Sequence, residues 1–303
     1  KICIVLSTRP EIIKLAPIIK ILKSKRENFF LVNTNQHYIN IMSKVFFDYF
    51  KIPKPKYNIN APTKTHGAFF SKTIKEIEKI LFKEKPDYLI VQGDTNTALA
   101  GCLAASMFNR KFPDPKEKIN IVHVESGLRS FDEKMPEEIN RKLVDELSHI
   151  LFPPTDFDVA NLKNEKLINK KIYKVGNTIS DVIKAYLPKI KKNKILKKLN
   201  LNKKKYFLVT VHRPESVDNI VNFKKLLNSF EKIGKIFNTK FICWFKQTRN
   251  VAIKKSEAIS WFDEVKRSKE RQKYWYYIKT SYDFNIWPYY NLEDKINKDR
   301  VWR

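Results

Sequence analysis

Short apolar runs alternate along the chain with longer segments in which apolar residues recur every three or four positions. Ile2–Leu6 is the first short run and predicts a strand; after residues 7–10, helical spacing follows at Ile12, Ile13, Ala16, Ile19 and Leu22. The same pattern predicts strands at 29–32, 88–91 and 119–124 and helices at 74–82, 95–108 and 136–149. This alternation favours a parallel, doubly wound α/β sheet, which binds ligands at the carboxyl ends of its strands.

A lysine-rich segment divides this pattern into two parts. A further strand is predicted at 172–175, and after Gly176-Asn177-Thr178 the chain runs through dispersed lysines. We therefore predict an N-terminal Rossmann-like domain over residues 1–178. A strand at 206–211, a helix at 223–237 and a strand at 241–244 restart the alternation, which predicts a second Rossmann-like domain over residues 179–303.

The pattern of the second domain degrades from about residue 245. All five tryptophans lie at Trp244 or later, and Gly234 is the only glycine after Gly176. A Rossmann-like half needs glycines in its turns, and the local signals of this tail conflict with the fold of the preceding segment. We expect an incomplete second domain with a frameshifted, recombined or truncated ending; an unusual but folded ending is the alternative.

Composition narrows the classes of protein. The 303 residues, 43% of them hydrophobic, suffice for a core, and no apolar run is long enough to span a bilayer. The chain opens directly into a strand, so we expect a cytoplasmic protein. The three cysteines, each in an apolar run, favour neither a disulfide framework nor a zinc site. The net charge of +28 comes mostly from dispersed lysines, which favours a solvated surface over nucleic-acid binding.

The loop after the first strand is a candidate anion site. Ser7-Thr8-Arg9-Pro10-Glu11 leads into the first helix, whose free backbone N–H groups and dipole favour an anion. Arg9 and Lys14 add positive charge, which suits a phosphate. An ordinary helix start with proline in its first turn is the equally weighted alternative.

Acidic residues follow the next strands. Asp94 comes after the strand at 88–91, Glu125 after the strand at 119–124, and Glu137 opens the following helix. Asp94 alone could simply cap a helix. Together, three acidic residues at one rim predict carboxylates whose proton affinities differ, so that one acts as a base and another as an acid.

The motifs in their order make the prediction specific. The series is STRPEIIKLAP, TNQHY, QGDTNT, HVESGLRS, MPEEINR, VGNT and VTVHRPE. This series resembles the non-hydrolysing UDP-N-acetylglucosamine 2-epimerases from residue 1 to about residue 241. The resemblance implies a GT-B-like fold, in which two Rossmann-like domains face each other across a nucleotide-sugar cleft.

The resemblance also implies a reaction. The family abstracts the proton at C2 of the sugar while UDP departs, forms a glycal, and adds UDP back after reprotonation on the other face. By this resemblance Asp94, Glu125 and Glu137 are the acid/base carboxylates, and His212 reaches the diphosphate region from the second domain. Neither a metal nor a nicotinamide cofactor is implied. A weakly acidic C–H needs a positioned base, and a departing diphosphate needs cations and N–H donors.

Further residues are expected to bind the substrate. Arg9 and Lys14 match positions that hold the nucleotide sugar, and Arg129 lies in the HVESGLRS motif. Arg213 and Glu215 follow His212 in the sequence and are expected to bind the substrate beside it. His37 follows the second strand, in an equivalent rim position, and is expected to support the sugar.

The tail departs from the family pattern. A Ser-Gly-Gly turn followed by Gln-Glu-Glu, which binds UDP in the family, does not occur in this sequence. We therefore weigh an active epimerase that interconverts UDP-GlcNAc and UDP-ManNAc against an inactive remnant of that family. A GT-B sugar transferase and a basic nucleic-acid-binding protein are the alternatives from other classes. The family resemblance further suggests a homodimer.

Overall fold

The computed structural model describes residues 1–35, 46–61, 65–199, 201–211, 216, 219–245 and 275–279. The chain forms two compact units, Lys1–Ile190 and Lys191–Arg303. The sequence-based boundary at residue 178 assigned the helix Thr178–Lys192 to the second domain. In the structure Val182, Ile179 and Tyr186 of this helix pack into the core of the first unit, so the unit ends near the end of the helix.

The first unit alternates strands and helices as the pattern predicts. Its strands are β1 (Ile2–Leu6), β2 (Phe29–Asn33), β3 (Tyr57–Asn58), β4 (Tyr88–Gln92), β5 (Asn120–Val124), β6 (Ile150–Phe152) and β7 (Lys171–Ile172). Its helices are α1 (Arg9–Ser24), α2 (His66–Glu84), α3 (Asn96–Lys111), α4 (Pro136–Leu147), α5 (Asp156–Asn164) and α6 (Thr178–Lys192), with a 3₁₀ turn at Leu167–Asn169.

The seven strands form one sheet in the order β3-β2-β1-β4-β5-β6-β7. Every neighbouring pair is parallel, which confirms the predicted doubly wound sheet. The order reverses between β1 and β4, because the chain first builds outward through β2 and β3 and then returns to the other side of β1. This switch point opens a crevice at the carboxyl ends of the strands, where such sheets bind ligands.

Both faces of the sheet are covered, as the alternation along β1 shows. Cys3 and Val5 pack into a core cluster with helices α2 and α3, whereas Ile4 and Leu6 pack into a second cluster with α1 and α6. Gly101 lets α3 approach the sheet closely, since a Cβ at this position would lie 3.3 Å from Cγ1 of Val91. The rigid central strands therefore fix the loops at their ends.

Some elements differ from the sequence prediction. Strands β3 and β6 and helix α5 are short, and their apolar patterns did not predict them. The strand predicted at 172–175 ends at Ile172. Helix α2 begins at His66, well before the predicted start, because the Thr65 hydroxyl accepts a hydrogen bond from the N–H of Ala68 and caps the helix.

The second unit contains helices α7 (Ile195–Lys198) and α8 (Ile220–Phe237) and strands β8 (Tyr206–Val211), β9 (Lys240–Phe245) and β10 (Trp275–Lys279). These strands form a parallel sheet in the order β10-β9-β8. Phe241 is buried and stacks on Phe207 and Phe230 at ring distances of 5.0 and 5.4 Å. Strand β10 lies within the segment where the pattern degrades, and the sequence did not predict it.

Within the ranges described, none of the helices combines the length and the apolar character needed to cross a membrane.

Candidate functional site

Three loops meet at the carboxyl edge of the first sheet, beside the switch point. They follow β1, β4 and β5 and lead into α1, α3 and α4. Gly93 turns the chain after β4 with φ +73°, a conformation that favours glycine. Glu125 turns it after β5 with φ +70°, which is strained for a residue with a side chain and is typical of functional positions.

Glu125 is held by donors from three elements. Nζ of Lys14 lies 2.6 and 2.8 Å from its two carboxylate oxygens, and Nε2 of Gln92 donates to it at 2.6 Å. Asn177, after β7, donates a longer bond of 3.4 Å. The Glu125 side chain keeps 11% exposure. Lys14, expected to bind the nucleotide sugar, is thus brought together with an expected acid/base residue.

Asp94 is oriented by helix α4. Nη2 and Nε of Arg141 lie 2.6 and 3.0 Å from Oδ2 of Asp94, while Nδ2 of Asn140 donates to the Asp94 carbonyl at 2.9 Å. The Asp94 side chain is 30% exposed. The carboxylate is therefore fixed by an arginine that the sequence analysis did not single out.

Helix α4 separates the roles of two adjacent glutamates. Glu138 is buried and accepts hydrogen bonds from the N–H and Oγ of Ser130 at 2.8 and 2.9 Å. Burial raises its pKa, but hydrogen bonds from Ser130 and Arg141 outweigh burial and lower the pKa below its ordinary value. Glu137 is exposed. It lies one helical turn before Arg141, so both residues share the face of α4 that reaches Asp94.

Glu11 links the loops after β1 and β4. It is 1% exposed, and its carboxylate accepts from the backbone N–H groups of Ser7 and Thr8 at 3.1 and 2.5 Å and from Oγ1 of Thr95 at 2.7 Å. Burial raises the pKa of Glu11 although these hydrogen bonds oppose the rise. Partial burial also lowers the pKa of the neighbouring Arg9 from its ordinary value.

A buried charge network lies behind the rim. His123 contacts Oδ1 of Asp145 at 2.6 Å and the Gly93 carbonyl at 2.9 Å, and Oδ2 of Asp145 accepts from the Gly127 N–H at 3.0 Å. Arg129 lies 2.8 Å from Asp145 and 2.5 Å from Glu165, and its side chain is 0% exposed. Burial raises the pKa of Asp145, but the charges of His123 and Arg129 outweigh burial and lower it.

The remaining predicted site residues lie outside the described residues. They are His37, His212, Arg213 and Glu215. Among the side chains that the structure describes, no group of three His, Cys, Asp or Glu could hold a metal ion.

Comparison with known proteins connects this geometry to a family. A family model described as UDP-N-acetylglucosamine 2-epimerase matches residues 20–280. The chain is 47% identical over 246 residues to a UDP-N-acetylglucosamine 2-epimerase of Methanococcus maripaludis, and this match covers 80% of the chain and 64% of that relative.

The chain belongs to the UDP-N-acetylglucosamine 2-epimerase family.

Other members of the epimerase family extend the similarity. The enzyme of that name from Methanocaldococcus jannaschii is 42% identical over 273 residues, which cover 89% of this chain and 71% of that protein. Its crystal structure in complex with UDP-GlcNAc and UDP matches with a TM-score of 0.75 at 42% identity, over 92% of this chain and 72% of that one. This similarity confirms the predicted α/β, GT-B-like fold class. The chain spans just under two thirds of the Methanococcus maripaludis relative.

The family match also reaches further than the motifs that suggested it. The resemblance read from the sequence extends to about residue 241, whereas the family model extends to residue 280, just beyond strand β10. The sequence pattern did not predict a role at this edge for four further residues, Glu11, Glu138, Arg141 and Asp145. Three of them could have been recognised from their spacing. Glu138, Arg141 and Asp145 recur at intervals of three and four residues and therefore share one face of α4.

Two sets of carboxylates surround this edge of the sheet. We call Asp94, Glu125 and Glu137 the rim carboxylates; all three keep some exposure. We call Glu11, Glu138 and Asp145 the buried carboxylates, since each is at most 1% exposed and accepts several hydrogen bonds.

Proposed function

We propose that this chain interconverts UDP-GlcNAc and UDP-ManNAc by elimination and re-addition of UDP through a glycal intermediate. Membership of the epimerase family supports the proposal, and so do the carboxylates at the switch point of the sheet. The observation that carries it is the contact of Lys14 and Gln92 with Glu125, because it joins α1, β4 and the loop after β5 around one carboxylate at the edge where doubly wound sheets bind ligands.

The rim carboxylates supply the proton transfers. We assign Glu125 and Glu137 as the acid/base pair and leave open which of them removes the proton at C2 in each direction. Asp94 completes the set, oriented by Arg141. A base on one face of C2 and an acid on the other are what inversion at this carbon requires.

We assign cationic side chains to the departing diphosphate. Arg9 and Lys14 lie in the first two turns of α1, where the helix dipole adds positive potential. From the second unit we assign His212, Arg213 and Glu215 to substrate binding, and we assign His37 to the sugar. All four assignments rest on the family resemblance.

Arg129 has a different assignment from the one its motif suggested. Its guanidinium is buried and occupied by Asp145 and Glu165, which leaves it poorly placed to contact a substrate. Burial lowers its pKa, but the hydrogen bonds to Glu165 and the charge of Asp145 outweigh burial and raise the pKa above its ordinary value. We therefore propose that Arg129 orders the loop that follows Glu125.

Two further properties follow as proposals. Helix α4 exposes Ile139 and Leu143 by 54% and 44%, which supports the homodimer suggested by the family resemblance. Light scattering after size exclusion would give twice the chain mass for a dimer and the single mass if this proposal is wrong. A cytoplasmic location is proposed from the nucleotide-sugar substrate, and a nucleic-acid role remains the weaker alternative.

Solvent exchange at C2 tests the reaction. UDP-GlcNAc incubated with the protein in D₂O should gain deuterium at C2, and UDP-ManNAc carrying deuterium at C2 should accumulate. Free UDP and glycal should be detectable during turnover. Sugar transfer to an acceptor without C2 exchange would show a transferase instead.

Matched variants sharpen this experiment. Glu125→Gln should abolish exchange, whereas Glu133→Gln, at a side chain that is 87% exposed, should leave it unchanged. Binding of UDP-GlcNAc without exchange by the unsubstituted chain would show an inactive family member. Salt-dependent binding to RNA or DNA without either sugar activity would contradict the proposal altogether.

A further inference from the structure

His123 has no role in the reaction as assigned above, although it lies in β5 two residues before Glu125. Its side chain is 1% exposed. One ring nitrogen faces Asp145 on α4 at 2.6 Å, and the other faces the carbonyl of Gly93, which directly precedes Asp94, at 2.9 Å. The imidazole therefore joins helix α4 to the turn that carries a rim carboxylate.

The partners of the ring fix its protons. A carbonyl oxygen only accepts hydrogen bonds, so Nε2 must carry a proton. Oδ2 of Asp145 is already the acceptor for Arg129 and the Gly127 N–H, which keeps this carboxylate anionic. An anionic Oδ1 at 2.6 Å is then an acceptor for Nδ1. Both ring nitrogens therefore face acceptors, an arrangement that a doubly protonated ring satisfies.

The surroundings of the ring can balance a positive charge on it. Asp145 lies between His123 and Arg129, and Glu165 accepts from Nε and Nη2 of Arg129. A doubly protonated His123 then completes a network of two positive and two negative groups. Pairing of this kind offsets the cost of removing each charge from water.

Hydrogen bonds also fix the backbone of Gly93 and Asp94. The Gly93 N–H donates to the carbonyl of Val124 at 3.0 Å, and Asn140 holds the Asp94 carbonyl at 2.9 Å. Without His123 the Gly93 carbonyl would lose its contact with the imidazole. Gly93 has no Cβ and adopts a φ of +73°. The Gly93–Asp94 peptide can therefore rotate into conformations that a residue with a side chain would forbid.

We propose that His123 is a positioning residue whose doubly protonated ring fixes the Gly93–Asp94 turn and thereby aims the Asp94 carboxylate. The part of this inference that concerns catalysis rests on the proposed epimerase reaction. The part that concerns the turn stands on the contacts of the ring alone.

Two isosteric substitutions separate the two contacts of the ring. The amide nitrogen of glutamine reaches the position of Nε2, so His123→Gln keeps a donor for the Gly93 carbonyl and loses the contact with Asp145. The amide nitrogen of asparagine reaches the position of Nδ1, so His123→Asn keeps the donor for Asp145 and loses the Gly93 contact. Both variants remove the charge, which makes each the control of the other.

Amide hydrogen exchange and steady-state kinetics distinguish the two variants. His123→Asn should speed amide exchange at residues 93–95 and lower kcat for UDP-GlcNAc, each by about tenfold, with KM within about twofold. His123→Gln should stay within about threefold of the unsubstituted protein in both measurements. Equal effects of the two variants, or a larger effect of glutamine, would overturn the proposal, because His123 would then act through Asp145.

Nitrogen NMR of the unsubstituted protein tests the charge and needs no folded variant. With ¹⁵N-labelled histidine, both ring nitrogens of His123 should give the chemical shifts of protonated nitrogens at neutral pH. A ring with one unprotonated nitrogen would contradict the cationic state. If the chain does not turn over UDP-GlcNAc, the proposed function fails, while exchange at residues 93–95 and the NMR signals still decide the role of His123.

Discussion

The rim carboxylates and the buried carboxylates lie on the same loops and helices but have opposite environments. Asp94 and Glu125 keep 30% and 11% of their side-chain exposure and are oriented by Arg141 and Lys14, respectively. The buried set has little or no exposure, and its oxygens are occupied by backbone N–H groups, hydroxyls and cations. Under the proposed reaction, acidic residues at one edge of the sheet divide between proton transfer and support, and side-chain burial separates the two sets.

The largest expected effect is on turnover at the rim. Glu137→Gln removes one member of the proposed acid/base pair and should lower kcat by about 100- to 10,000-fold. Because Glu137 is exposed, the free energy of unfolding should change by less than about 1 kcal/mol. Initial rates with UDP-GlcNAc and urea unfolding measure the two quantities. A stable variant with unchanged kcat would remove Glu137 from the proposed acid/base pair.

The next largest effect concerns stability in the buried set. Asp145→Asn leaves His123 and Arg129 buried without their shared anion, which should cost about 3–5 kcal/mol. Urea unfolding measures this loss. The matched control is Glu146→Gln at the exposed neighbouring position, for which a change within about 0.5 kcal/mol is expected. Equal stabilities of the two variants would show that the buried network contributes little.

Two substitutions of Glu11 should lower the stability by different amounts. Glu11→Ala removes the acceptor of three hydrogen bonds and leaves buried donors unpaired, with an expected loss of about 2 kcal/mol. Glu11→Gln keeps one oxygen for the backbone N–H groups and can donate to Thr95, so a loss below about 1 kcal/mol is expected. Thermal unfolding of both variants tests this order, and a glutamine variant as unstable as the alanine variant would contradict it.

The smallest expected effect is a pair of opposite pH dependences. The folded-state pKa of Glu138 is lowered, so its stabilisation is present above the unfolded-state pKa and is lost as the pH falls through the folded-state pKa. The folded-state pKa of Glu11 is raised, so its contribution becomes more favourable as the pH falls. Glu138→Gln should therefore flatten the acid loss of stability, and Glu11→Gln should steepen it. Urea midpoints from about pH 7 to about pH 2 provide the measurement, and parallel profiles would contradict both assignments.

The central strands were predictable because their apolar runs are dense. The runs at β1, β4 and β5 are short, strongly apolar and followed by polar turns, and the structure has strands at each of them. Strands β3 and β6 contain only two and three residues, which is too few for a period of two to be recognised. Strand β10 was missed because it follows a segment without the alternation that precedes β8 and β9.

Helix α4 shows why the support of the site could not be predicted. Its buried positions include Glu138, Asn140 and Asp145, whereas Ile139 and Leu143 are exposed. Hydrophobic periodicity assumes that the apolar face is the buried one, so it gives the wrong orientation for this helix. The burial of Glu138 depends on hydrogen bonds from Ser130 and Phe131, which only the fold brings within reach.

A crystal structure with bound UDP-GlcNAc tests the central claim most directly. We expect the carboxylates of Glu125 and Glu137 on opposite faces of the sugar ring. Each should have an oxygen within about 3.5 Å of C2. Asp94 should line the same space. A sugar bound away from the rim carboxylates, with Glu125 still held by Lys14 and remote from C2, would contradict the account.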